Sequence, residues 1–169
     1  AFKAVLQWLL REDAAAPKMF WLMGGGGTGK TVVSAELLRR LCEAPAEPAP
    51  GEERARSLAG RHAAHHFFRH DDAATSNPVL LLRSLAAQLC ASVPGFEAAL
   101  KRGFEAALAA ENVGDAFKAL LAEPLAALPP RPADAPRMVI ILDALDELSA
   151  QQLGPVLDLI TTWLATLPD

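Results

Sequence analysis

The sequence predicts an α/β domain in which helices cover both faces of a mainly parallel sheet, giving three layers. Two apolar runs of strand length, residues 19–23 and 138–142, are each followed at once by glycine or acidic residues that suit a binding site. Apolar residues recur at a helical period between these runs and after the second one. Buried strands that alternate with amphipathic helices are typical of a parallel sheet.

The chain has 169 residues, about the length of one domain, and its 51% hydrophobic and 21% charged residues are typical of a globular protein. We therefore interpret residues 1–169 as a single domain. A formal net charge of −4 gives no basic surface for nucleic acid. No apolar stretch reaches the ~20 residues of a membrane span and no signal peptide is evident, so we expect a cytoplasmic protein with no membrane partner. In that reducing compartment, Cys42 and Cys90 are expected to be free and largely buried.

The remaining elements follow from periodicity and turn residues. A further strand is predicted at 62–68, where aromatic and apolar residues precede a turn-rich segment. A Pro/Ala/Glu-rich stretch at about 43–60 can hold neither a helix nor a central strand, and we interpret it as a surface insertion. Helices are predicted at 1–11, 31–41, 79–89, 95–110, 113–128 and 149–167.

A glycine-rich loop matches the phosphate-binding pattern G-x-x-x-x-G-K-[ST] in full. It consists of Gly24, Gly25, Gly26, Gly27, Thr28, Gly29, Lys30 and Thr31. Glycines let backbone N–H groups approach phosphate oxygens, Lys30 places an ammonium beside the β- and γ-phosphates, and the Thr31 hydroxyl can ligate Mg²⁺. The loop therefore predicts a site for a nucleoside triphosphate with Mg²⁺. Since no Asn-Lys-x-Asp stretch specifies guanine, we expect ATP.

A flexible linker is the alternative interpretation of this glycine run, and its flanks argue against it. The apolar run 19–23 before it is typical of a buried parallel strand. After it, Val32, Ala35, Leu38 and Leu41 recur at helical spacing and are expected to form the buried face of a helix. Strand, glycine loop and helix form the context that phosphate binding requires.

The second apolar run leads directly into Asp143-Ala-Leu-Asp-Glu147. Ligands bind at the carboxyl ends of strands in open α/β sheets, so Asp143 is the candidate ligand for Mg²⁺. Glu147 is the candidate for polarising the attacking water, and Asp146 competes for that role. The alternative is that Asp146 or Glu147 stabilises the N-terminus of the next helix, near Ser149. Together with Lys30, these acids predict a catalytic site.

Several segments taken together resemble one family. They are Trp21-Leu-Met23 before the glycine loop, His66-Phe-Phe-Arg69, Asn77-Pro78, Leu82-Arg-Ser-Leu-Ala-Ala-Gln-Leu89 and Asp143-Ala-Leu-Asp-Glu147. Over residues 2–167 the chain resembles a NACHT-type domain of the STAND class of P-loop NTPases, particularly the nephrocystin-type N-terminal NTPase module. The resemblance implies a switch in which ATP binding favours a self-associating state and slow hydrolysis resets it. It implies that Lys30, Thr31, Asp143 and Glu147 are site residues.

The resemblance also implies a sensor strand, ending in an arginine, between the strand at 19–23 and the strand that ends at Asp143. Only three strands are predicted here, and none follows the acidic motif. We therefore expect the chain to be truncated before the sensor strand, and expect such a fragment to be poorly stable. Homo-oligomer contacts or protein partners would involve parts outside this chain.

Two other functions fit the same motifs. One is a phosphotransferase that moves the γ-phosphoryl group to a small acceptor, and the other is a scaffold that binds nucleotide without turnover. An arginine-rich lid, which a phosphotransferase would need, is not evident in the sequence.

Four histidines crowd one segment, and we interpret them as strand-edge and loop residues, not metal ligands. On a strand, His62 and His66 would share one face and His65 the other, and no cysteine or suitably spaced carboxylate completes a tetrahedral set. Arg69 and His70 are expected near the nucleotide end of the sheet.

Overall fold

The computed structural model describes residues 1–11, 17–43, 58–72, 74–132, 135 and 137–167. The strands are β1 (His62–Phe67) and β2 (Val139–Asp143). The helices are α1 (Phe2–Leu9), α2 (Lys30–Cys42), α3 (Pro78–Ser92), α4 (Phe96–Lys101), α5 (Phe104–Ala109), α6 (Val113–Phe117), α7 (Glu123–Ala126) and α8 (Ala150–Asp158). A π-helical turn, Lys118–Ala122, joins α6 to α7, and a second one, Leu159–Trp163, extends α8 into a 3₁₀ turn at Leu164–Thr166. No helix in the described ranges is both long and apolar enough to pass through a bilayer.

The two strands run parallel, which confirms the predicted strands at 62–68 and 138–142 and their relative direction. Their register pairs His66 with Leu142 and Phe67 with Asp143, so both carboxyl ends lie side by side. An irregularity between His62 and Ala64 changes the alternation of side chains at the start of β1. It brings His62 Nε2 within 3.0 Å of His65 Nδ1, so the prediction that these two histidines lie on opposite faces is wrong.

The sheet buries its two faces against different helices. Val139 and Ile141 of β2 pack into a smaller core with α1 and α2. The alternate residues, Ile140 and Leu142, pack against a larger core. That core is built mainly from β1 and the helices α3 to α8, and its fully buried side chains include Leu81, Leu82, Leu85, Phe96, Leu121, Val156 and Leu159. The mixed α/β class and a parallel sheet are thus as predicted, because side chains of a strand alternate between its two faces and an all-apolar strand can be covered by helices on both.

The outer edge of β1 is closed by two side chains of α3. Gln88 accepts a hydrogen bond from the His65 N–H at 3.0 Å and donates one to the His65 carbonyl at 2.8 Å. Ser92 Oγ donates to the Ala63 carbonyl at 2.6 Å. Helix side chains therefore satisfy backbone groups that a third strand would otherwise pair, and the sheet ends at β1.

The strand predicted at 19–23 is wrong, since these residues adopt no regular structure. Trp21 and Met23 are 45% and 87% exposed. The segment lies beside α1: Trp8 Nε1 donates to the Pro17 carbonyl at 2.7 Å, and the rings of Trp8 and Phe20 are 5.6 Å apart. A strand needs a backbone partner, and no described strand lies next to this segment to supply one.

The helix predicted at 95–110 is broken in two, because α4 ends at Lys101 and Gly103 precedes α5. Glycine is a poor helix former, which explains the break. The other predicted helices are present, with shifted ends.

The predicted buried face of α2 is correct at Leu38 and Leu41, which pack into the smaller core, but wrong in the first turns of the helix. Val32 is 71% exposed and Ala35 is exposed, whereas Leu37 and Leu41 are buried with Val33 partly buried beside them. The buried face therefore begins at Val33, one residue after the predicted Val32. Both faces contain apolar residues, so spacing alone did not distinguish them.

The predicted insertion at about 43–60 lies mostly outside the described residues. At its described end, Leu58 is fully buried and the Gly60 N–H donates to the Leu41 carbonyl at 2.9 Å. The end of this segment therefore belongs to the smaller core. Cys42 and Cys90 are both free, as predicted, but Cys42 is exposed, so its predicted burial is wrong.

Candidate functional site

The glycine-rich loop forms a tight turn that leads into the N-terminus of α2. Gly27 and Gly29 have φ values of 74° and 84°, in the left-handed region that glycine adopts without strain. Gly29 is the N-cap of α2, and Lys30 is the first helical residue. Thr28 Oγ1 donates to the Gly25 carbonyl at 2.8 Å and tightens the turn. The loop thus places a helix N-terminus, with its unpaired N–H groups, beside the glycines.

Lys30 directs its ammonium back over the loop and across to the acidic turn. Nζ donates to the carbonyls of Gly24 and Gly25 at 2.8 and 3.1 Å. It also lies 3.2 Å from Asp146 Oδ2. Two motifs that are far apart in sequence therefore meet at one ammonium group. Thr31 is exposed in the first turn of α2.

The acidic turn begins with an unusual backbone conformation. Ala144 has φ 62° and ψ 36°, and among the described residues it is the non-glycine residue with positive φ. An L-residue loses roughly 1–2 kcal/mol in this conformation. The left-handed step turns the chain sharply after Asp143, and Leu145–Glu147 then form one 3₁₀ turn. This turn directs Asp146 and Glu147 towards different partners.

Asp143 is the buried acid of the site. The residue is 7% exposed, and its Oδ2 atom is buried without a hydrogen-bond partner within the described part of the chain. A buried carboxylate oxygen usually has a partner, so this atom fits a role as a ligand for Mg²⁺ or for a water bound to it. Three or more metal-ligating side chains do not converge in the described residues. Mg²⁺ commonly keeps several waters, so one or two protein ligands are enough for it.

Asp146 and Glu147 each pair with a different basic group. The hydrogen bond from Lys30 lowers the pKa of Asp146. Glu147 Oε2 accepts two hydrogen bonds from His70, from the backbone N–H at 3.2 Å and from the ring Nδ1 at 2.7 Å. The His70 side chain and backbone lower the pKa of Glu147, and Glu147 in turn raises the pKa of His70.

Parallel pairing explains why His70 reaches Glu147. Phe67 is paired with Asp143, and the Phe68 N–H donates to the Asp143 carbonyl at 3.0 Å. The loops that leave both strands therefore start side by side. The sequence predicted that Arg69 and His70 lie near the nucleotide end of the sheet, and the position of His70 agrees. Sequence reasoning did not identify Glu147 as the partner of His70. The feature that could have identified it is the position of His70 in the loop that follows β1, because β1 pairs with the strand that leads into the acidic turn.

Helix capping by Asp146 or Glu147 is not what the structure shows. Ser149 is the N-cap of α8, and its backbone N–H donates to Gln152 Oε1 at 3.0 Å in a capping box. The two acids precede this cap and bind Lys30 and His70 instead.

A cavity of about 2090 Å³ extends from the site along β2. Pockets for small ligands usually measure about 300–1,000 Å³, so this space exceeds what a ligand alone requires. All of β2 lines the cavity, together with Trp8, Trp21, Lys30 and Ile160. Since β2 pairs only with β1, the edge of β2 away from β1 has no strand beside it in the described residues.

Comparison with known proteins supplies one match. Residues 3–168 match the model of a protein family described as nephrocystin 3, N-terminal. No curated protein and no solved structure matches the chain significantly.

Proposed function

This chain belongs to the nephrocystin 3, N-terminal family, and from that premise we propose that it binds ATP with Mg²⁺ and hydrolyses it slowly as a nucleotide-dependent switch. The fold we propose for it is a three-layer P-loop NTPase of the NACHT type. The reaction is hydrolysis of the γ-phosphate, and the protein couples the bound state to its self-association or to a protein partner.

The observation that carries the proposal is the contact between Lys30 Nζ and Asp146 Oδ2 at 3.2 Å. The full pattern G-x-x-x-x-G-K-[ST] occurs by chance in on the order of one chain in a hundred of this length. An unrelated linker would have no reason to bring that lysine to the acids that follow a buried parallel strand. The meeting of the two motifs is expected of a phosphate site whose two halves are a loop and an acidic turn.

The residues of the site have separate roles in this proposal. The backbone N–H groups of residues 24–29 and the N-terminus of α2 bind the phosphate oxygens. Lys30 exchanges its contacts with Asp146 and the loop carbonyls for the β- and γ-phosphates. Thr31 and Asp143 would hold Mg²⁺, which neutralises charge on the phosphates when bound. Glu147 accepts the proton of the attacking water.

The cavity beside β2 supports the proposed fold. The resemblance implies a sensor strand between the segment 19–23 and β2, and the cavity lies between them. A strand there would pair with the open edge of β2 and give the segment 19–23 the partner that it lacks. We propose that this segment becomes a strand when the sheet is extended in this way.

The test of the function is Lys30→Ala, with Lys101→Ala as the matched control. Lys101 lies on α4 and pairs with Glu97, away from the loop. We expect Lys30→Ala to weaken binding of a fluorescent ATP analogue at least about 100-fold, since it removes a charge-assisted contact to the phosphates. Lys101→Ala should bind like the unaltered protein. Equal affinity of the Lys30→Ala variant and the unaltered chain would contradict nucleotide binding at this loop.

A further inference from the structure

The contact between His70 and Glu147 joins two loops at the carboxyl ends of β1 and β2. Both hydrogen bonds from His70 go to one carboxylate oxygen, Oε2, at 3.2 Å from the backbone N–H and 2.7 Å from Nδ1. A carboxylate can only accept, so Nδ1 carries a proton in this contact. The second oxygen, Oε1, has no hydrogen bond with the described residues and is the one available to water.

Two donors on one oxygen restrict the carboxylate more than a single ion pair does. Glu147 is 43% exposed and His70 is 75% exposed, so neither side chain is held by burial. The backbone N–H of His70 belongs to the loop that follows β1, and the ring Nδ1 makes a second hydrogen bond to the same oxygen. Together they determine which oxygen of Glu147 faces away from His70.

We infer that His70 is a positioning residue for Glu147, holding Oε2 through its backbone N–H and Nδ1 so that Oε1 receives the proton of the attacking water. This inference rests on the proposed function, since it assigns a role within ATP hydrolysis. His70 itself touches neither the nucleotide loop nor Lys30 among its hydrogen bonds in the described residues.

Oε1 takes up one proton of the water as that water attacks the γ-phosphate. The water oxygen forms a bond to the γ-phosphorus, and its proton passes to Oε1. The bond from the γ-phosphorus to the bridging oxygen breaks, and its electron pair leaves with ADP. Inorganic phosphate and ADP are released, and the proton on Glu147 returns to solvent.

Protonation of His70 should strengthen its contact with Glu147 but lower the basicity of that carboxylate. Charged groups near the ring are Glu147 from the turn after β2, and Arg69 and Asp71 from its own loop, while Asp146 lies near Glu147. Glu147 and Asp71 raise the pKa of His70 above its usual 6.5. Below that raised pKa the imidazolium neutralises the carboxylate and makes it a poorer proton acceptor. Hydrolysis should therefore fall as the pH drops through the pKa of His70.

The kinetic test compares His70→Ala and His70→Asn in the full chain, with His62→Asn as control. His62 lies at the opposite end of β1. We expect His70→Ala to lower kcat about tenfold, which is part of the roughly 10²–10⁴-fold that a general base contributes. KM should change by less than about twofold, because the nucleotide contacts remain. His70→Asn should recover most of kcat, since its amide can donate as Nδ1 does, and His62→Asn should leave kcat unchanged.

Three further readouts separate positioning from a merely structural role. The acid limb of kcat should lie above pH 6.5 in the unaltered chain and move to lower pH in His70→Asn, which cannot titrate. In a proton NMR titration without nucleotide, the pKa of His70 should fall in Glu147→Gln. In the Glu147→Gln background, His70→Ala should cause no additional loss of kcat.

The outcomes distinguish this inference from the proposed function. Unchanged kcat in His70→Ala, with normal binding and hydrolysis by the unaltered chain, would overturn the role of His70 alone. So would an additive result, in which His70→Ala lowers kcat in the Glu147→Gln background by the same factor as in the unaltered chain. If the unaltered chain binds ATP but never hydrolyses it, both hydrolysis and this inference fail while binding stands. If Lys30→Ala binds ATP as tightly as the unaltered chain, the proposed function itself fails.

Discussion

The two edges of the β1–β2 pair are treated in opposite ways. At β1, Gln88 and Ser92 of α3 bind the outward backbone groups of His65 and Ala63, so no further strand can pair there. At β2, the outer edge lies along the large cavity. Side chains that bind the outward backbone groups of a strand prevent another strand from pairing there, whereas an edge that faces an apolar cavity can accept another strand.

The two sides of the sheet also differ in how much apolar surface they bury. The α3 side holds the larger core, with Leu82 and Leu85 fully buried. The side of the glycine-rich loop holds the smaller core and exposes Trp21 and Met23. Regions with few buried apolar contacts open at a low free-energy cost. We infer that the α3 side supplies most of the stability, while the side that carries the glycine-rich loop opens more easily.

The largest expected effect is the loss of a core leucine on the α3 side. Leu85→Ala leaves a cavity where the side chain is fully buried, and should lower the free energy of unfolding by about 2–5 kcal/mol. Met23→Ala on the open side should change it by less than about 0.5 kcal/mol, since Met23 is 87% exposed. Urea titrations followed by circular dichroism measure both values. Equal losses in the two variants would show that the two sides contribute alike.

A smaller effect is expected at the closed edge. Gln88→Ala leaves the N–H and C=O of His65 without their partners, and should lower the free energy of unfolding by about 1–2 kcal/mol. Gln151→Ala, at an exposed position in α8, is the matched control and should stay within about 0.5 kcal/mol. Urea unfolding at the same pH compares the two. If Gln88→Ala matches its control, the edge of β1 does not depend on the α3 side chains.

The smallest effect, and one of opposite sign, is expected at the acidic turn. Ala144→Gly removes the left-handed strain and should raise the free energy of unfolding by about 0.5–1 kcal/mol, after the greater unfolded-state freedom of glycine is counted. Ala87→Gly, exposed in α3, should lower it by about 1 kcal/mol instead. Thermal unfolding of both variants measures the difference. Destabilisation by both substitutions would mean that Ala144 is not strained.

Most of the elements could be predicted because their patterns are local. The strand at 138–142 is an apolar run bounded by proline-rich and acidic segments, and the strand at 62–68 ends in aromatic residues before a turn-rich segment. The helix at 79–89 repeats its leucines at a helical period. The run at 19–23 has the same apolar character as β2 but forms no strand. Strand formation requires a hydrogen-bonded neighbour, which no single segment supplies.

The candidate site was predicted in its residue types but not in its pairings. The pattern of residues 24–31 and the acids after β2 indicated which side chains to expect at the site. Whether Asp146 or Glu147 binds Lys30, and that His70 binds the other acid, depended on the backbone step at Ala144. Alanine favours negative φ, so its identity indicated no such step.

The sequence by itself determined the glycine-rich turn before α2, the acid at the end of β2 and the parallel α/β class. Each of these depends on residue chemistry and short-range periodicity, which are properties of the chain alone. Tertiary structure decided which edge of the sheet is closed, that residues 19–23 lie against α1, and that Lys30 and His70 divide the two acids between them. Those features depend on which distant segments become neighbours in the fold. At the site, the register of β1 against β2 decides which two loops lie side by side.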